Sequence, residues 1–108
     1  MMRENYIAEM PLLRFIASSG ATRAQIKALL PKLSRNQLNF IGEIAFNILK
    51  GSIPLTENAK EMLRHFVKQI RSIGQKKRRC QHVRKALTVS GLIAIIKVSL
   101  PHIEHIQK

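Results

Sequence analysis

The chain has 108 residues, enough for one domain of ordinary size, and 45% of them are apolar, so a packed core is within reach. Nineteen Lys/Arg against six Glu give a net charge of +13, beyond the magnitude of about 2 to 8 that keeps a small domain soluble. With one Cys and no Trp, an internal disulfide is excluded, and a surface of stacked aromatic platforms is disfavoured.

In chain order, the punctuation is helical. Met1 to Asn5 lacks the apolar stretch of a secretory signal, and the expectation is a soluble intracellular chain. Pro11 suits the first turn of an opening helix over about 10–19. Thr22 with Gln25, and Ser34 with Gln37, have capping-box spacing and start helices over about 22–32 and 34–50. The second of these is apolar on more than one face (Leu38, Phe40, Ile41, Ile44, Ala45, Phe46, Ile48, Leu49), which places it at the centre of a bundle. Gly20, Gly51 and Gly74 stand where left-handed exits are expected. Gly51 to Leu55 reads as an extended loop around Pro54.

Thr56 and Glu57 begin a fourth helix over about 56–74, with Ala59, Met62, Leu63, Phe66, Val67, Ile70 and Ile73 on one face. Lys60, Arg64, Lys68 and Arg71 make a second stripe. A fifth helix is expected over about 78–98. Its apolar part, Ala86 to Leu100, is β-branched and contains Gly91, so a strand or a loose tail competes with helix there. The fold expected is all-α, a small compact bundle of about five helices. Residues 1–74 form its core, centred on about 22–50, and 75–108 form a basic segment and apolar helix or tail of the same domain.

Charge is the main functional signal. From Met62 to Ile103 there are ten Lys/Arg and no acid. The stripe runs on into Lys76, Lys77, Arg78, Arg79, Arg84 and Lys85, and so much uncompensated charge asks for a polyanion. Nearly continuous helices would make it a ribbon; a break at Gly74 would make it an arm. Either contacts phosphates rather than base edges. The candidate nucleic-acid-binding residues are therefore Lys60, Arg64, Lys68, Arg71, Lys76, Lys77, Arg78, Arg79, Arg84 and Lys85, and the partner expected is the backbone of double-stranded DNA. A helix-turn-helix over Thr22 to Lys50 is disfavoured, because its second helix is too apolar for a groove.

Catalysis finds little material. The six Glu are scattered, and Glu57 with Glu61 read as acids favoured near a helix start. There is no phosphate loop and no nucleophile elbow. Cys80-Gln81-His82 and His102-Ile103-Glu104-His105 have poor spacing for zinc, so no metal or other cofactor is expected, and His102 and His105 read as surface residues near a frayed end. The alternative to DNA is a membrane-active or capsid-interacting amphipathic protein that offers Gly91 to Ile96 as an apolar wedge beside the basic run. Self-association through the tail, Leu92 to Leu100, is a further expectation. A helical adaptor for a host protein is a third class.

Several of these features together resemble a known family. They are Pro11-Leu12-Leu13, Leu38, Ile41 to Gly51, Ile53-Pro54-Leu55-Thr56, a basic helix, a Lys/Arg run and an apolar tail. Their order resembles small proteins of adintoviruses and related Polinton (Maverick) elements, which are double-stranded DNA viruses or virus-like transposons of animals. Those small proteins are regarded as similar to the X (mu) core protein of adenoviruses. The resemblance covers roughly residues 10–97 and is most specific over Glu43 to Thr56. It implies a non-enzymatic protein of the virion core and host nucleus that packs the genome. Lys68, Arg71 and Lys76 to Arg79 stand at the matching positions, followed by Arg84 and Lys85. The chain departs from the pattern where Cys80 to Val83 interrupt the run, and where Ser90-Gly91-Leu92 replaces paired glycines and a Phe.

Overall fold

The computed structural model describes the backbone of residues 3–18, 20–75 and 80–106, and the side chains of 9–18, 20–75 and 81–104. These residues form seven α-helices and one 3-10 turn, without a strand among them. The helices are α1 (Arg3–Ala17), α2 (Arg23–Leu29), α3 (Arg35–Lys50), α4 (Glu57–Arg64), α5 (Val67–Ile73), α6 (Cys80–Ala86) and α7 (Val89–Ile106), and the 3-10 turn, Leu30–Lys32, continues α2. The radius of gyration is 12.6 Å, close to the ~13 Å of a compact chain this long. The all-α fold is as expected, with more and shorter helices than five.

The starts follow local chemistry. Thr22 and Ser34 each accept from the amide three residues on, while Gln25 and Gln37 reach back, completing both capping boxes. Gln37 also donates from Nε2 to Glu9 Oε1 at 3.3 Å, tying the start of α3 to α1. Thr56 caps α4 through the Ala59 amide. Gly51 ends α3 at φ 85°, with its own amide on Ile48 and the Ser52 amide on Asn47, the paired bonds of a Schellman exit.

Gly20 and Gly74 do not adopt the expected left-handed conformation. At Gly74 the requirement is space. A Cβ there would lie 2.9 Å from the Ile70 carbonyl oxygen and 3.0 Å from the backbone of Ala45, so the bare glycine lets α5 close on α3.

Three expected boundaries are corrected. The first helix begins at Arg3, not near Pro11, and carries Pro11 in its interior. Met10, Leu13 and Ile16 bury themselves while Pro11 stays exposed, so packing outweighs the lost amide bond. The expected helix 56–74 breaks at His65–Phe66, because α4 packs on α7 whereas α5 packs on α3 and α6. The expected helix 78–98 breaks at Leu87–Thr88, and the ambiguous apolar segment is helical through Pro101 to Ile106.

The core is also wider than residues 22–50. Leu92, Ile95, Ile96 and Ile103 of α7 are fully buried in the same cluster as Leu13, Ile26, Leu38, Ile41 and Ile44, and α7 packs on α1, α2, α3 and α4. Of the apolar side chains proposed as a wedge or a self-association surface, Leu92, Ala94, Ile95 and Ile96 thus face inward, Ile93, Val98 and Leu100 are partly buried against the core, and His102 is half-buried. Ser99, also on the buried face of α7, has no hydrogen-bond partner for its hydroxyl.

The start of α7 uses a capping box assembled from two helices. The Gly91 amide donates to Thr88 Oγ1 at 3.0 Å. The Thr88 amide donates to Oε1 of Gln69, which comes from α5, at 2.9 Å. Gln69 thereby does what a Gln at position 91 would do in an ordinary box. A side chain at Gly91 would overlap its amide. Gly91→Ala and Gln69→Ala are each expected to cost about 1 to 2 kcal/mol, as for a lost cap. The double variant should cost well below the sum, since removing Gln69 frees the space a Cβ needs. Urea melts of the four proteins measure this coupling.

Candidate nucleic-acid interface

Helices α5 and α6 form an antiparallel hairpin. Ser72 Oγ lies 2.7 Å from His82 Nε2 near the bend, and Gln69 meets Thr88 at the far end. Residues 67–86 contain eight Lys/Arg and no acid. Ile70, Ile73, Val83 and Leu87 turn inward and hold the hairpin on the bundle. Lys68 and Arg71 are exposed on α5, and Lys85 is exposed on α6. Among the described residues, no ion pair involves these three. Lys76, Lys77, Arg78 and Arg79 lie outside the described residues, in the connection between the two helices.

The other candidates differ. Lys60 pairs with Glu57 at 3.6 Å and Arg64 with Glu61 at 3.3 Å, both across one turn of α4. The turn at His65–Phe66 separates these two from Lys68 and Arg71, so the expected four-residue stripe is divided. Because α6 folds back along α5, the continuous-ribbon arrangement does not form.

Arg84 is engaged within the bundle. Its Nη1 donates to the carbonyls of Leu30 (3.2 Å) and Pro31 (2.9 Å), and its Nη2 donates to Leu33 at 2.7 Å. These acceptors sit at the end of α2 and its 3-10 turn, where carbonyls are short of helical partners (Leu30 also accepts from the Leu33 amide at 3.3 Å) and the helix dipole favours a cation. Only a planar fork serves three acceptors in this way. Arg84→Ala is expected to cost about 2 kcal/mol, the scale of charged hydrogen bonds, and to lower Tm by ~10 °C. Arg84→Lys should not restore it. DNA affinity at a temperature where the variant is folded should change little, which thermal melts and binding isotherms check together.

The clamp ties the 3-10 turn, which carries the exposed Lys32, to α6. Among the described residues no three His, Cys, Asp or Glu side chains gather as a metal site would require. Nor is any described helix long and apolar enough to cross a membrane.

Compared with known proteins, the chain significantly matches no family model, no curated protein and no solved structure.

Proposed function

We propose that this chain is a non-enzymatic protein that binds double-stranded DNA through its phosphates, without sequence specificity, and compacts it by neutralising charge. The observation that carries this reading is the acid-free α5–α6 hairpin, anchored by its apolar face with Lys68, Arg71 and Lys85 exposed. Helices bearing Lys68, Arg71 and Lys85, none of which joins an ion pair among the described residues, flank the run Lys76 to Arg79 in sequence, so the segment offers seven cations to phosphate. Phosphate supplies the missing negative charge, and release of its condensed counterions supplies the driving force. The central helix α3 buries Leu38, Phe40, Ile41 and Ile44, so it is not available to read a groove. The resemblance over Glu43 to Thr56 extends the reading to a protein of a viral core, acting on a packaged genome and in the host nucleus.

Fluorescence anisotropy with a double-stranded oligomer of arbitrary sequence tests this. Seven neutralised phosphates predict a log–log salt slope of about −6. Two unrelated sequences should bind within a factor of about 3 of one another, since phosphate contacts carry no sequence information. Salt-insensitive binding, or none at low salt, would reject the reading.

A further inference from the structure

Among the described residues, two of the four exposed large hydrophobic side chains, Leu49 (46% exposed) and Val67 (37%), border the same cavity. It measures about 250 Å³, lies between the end of α3, α4 and α5, and has Ile48, Leu55, Leu63 and Ile70 as its walls. Lys60 and Arg64 are its only charged lining residues. This volume falls below the ~300–1,000 Å³ of cavities that engulf a whole small molecule. It suits the one or two apolar anchors by which an amphipathic peptide seats itself in a groove.

We infer that this cavity is a docking site for an acidic amphipathic segment of another protein, with an apolar anchor inserted between Leu49 and Val67 and carboxylates on Lys60 and Arg64. Charge selects this occupant. A second copy of the chain would bring +13 against +13, whereas an acidic partner is drawn in by the whole field of the molecule. The existing pairs of Lys60 with Glu57 and of Arg64 with Glu61 are solvent-exposed, and such pairs are weak enough to be exchanged for an incoming carboxylate. The site shares α5 with the phosphate surface through Val67 and Ile70, but Lys68, Arg71 and Lys85 do not line it, and it does not depend on the DNA reading.

The test uses two fluorescein-labelled peptides of equal charge. Each carries four Glu; one has a central Leu and Phe three residues apart, and the other has Ser at both positions. The intact chain is expected to bind the apolar peptide about tenfold more tightly. Leu49→Ser and Val67→Ser, both charge-neutral and at exposed positions, should each reduce this preference to less than threefold, with thermal melts confirming that the bundle is retained. Both variants should keep the DNA salt slope, so failure here is distinguishable from failure of the phosphate reading. Equal affinity for the two peptides would overturn the inference, as would a preference that survives both substitutions. Loss of anionic-vesicle binding in the variants without peptide discrimination would assign the cavity to a lipid chain, and would also overturn it.

Discussion

Replacing Lys76, Lys77, Arg78 and Arg79 together by Ser is expected to flatten the salt slope of DNA binding from about −6 to about −3, and to cost about three orders of magnitude in affinity near 0.1 M salt. Four of the seven cations counted toward that slope are lost, and each contributes about 0.9 to it. Lys68, Arg71 and Lys85 remain on the helices, which is why binding should weaken without vanishing. The folded state should not suffer, because removing like charge from a chain of net +13 relieves self-repulsion. Anisotropy at four or more salt concentrations gives the slope, and a thermal melt gives the stability. Running anionic liposomes beside the DNA separates the two polyanion readings. Liposome binding that falls while DNA binding holds would move the function to the membrane surface.

The contrast with Arg84 shows what spacing alone conveys. Arg84 and Lys85 are adjacent in sequence and carry the same charge, yet one guanidinium is held by three carbonyls and the neighbouring ammonium is free. Nothing in the local sequence distinguishes them, because the acceptors lie more than fifty residues away. The two sequence-local capping boxes and the Gly51 exit were legible, since each is completed within a few residues. The start of α7 was not. Its capping amide comes from Gln69, nineteen residues upstream, so Thr88 with Gly91 resembles no box when read along the chain. The break at His65–Phe66 likewise interrupts an apolar spacing that continues straight through it. It arises because α4 and α5 follow different partners.

Ile95→Ala tests the reassignment of the apolar C-terminal segment most directly. Ile95 is fully buried and shares the inward face of α7 with Leu92, Ile96, Ser99 and Ile103, spaced at three, four and seven as one helical stripe. Truncating a buried Ile to Ala costs about 2 to 5 kcal/mol, a large part of the ~5–15 kcal/mol that holds a domain of this size together. Tm should therefore fall by at least ~10 °C, and urea unfolding should remain one transition, because α7 touches α1, α2, α3 and α4 and cannot loosen alone. Lys97→Ala, two residues on but exposed, should change stability by less than about 0.5 kcal/mol. A free tail or a wedge kept for lipid would give the opposite pattern, with Ile95→Ala thermally silent and vesicle binding reduced. Equal and small effects at 95 and 97 would show that the segment does not hold the bundle, and the anchoring assigned to α7 would be wrong.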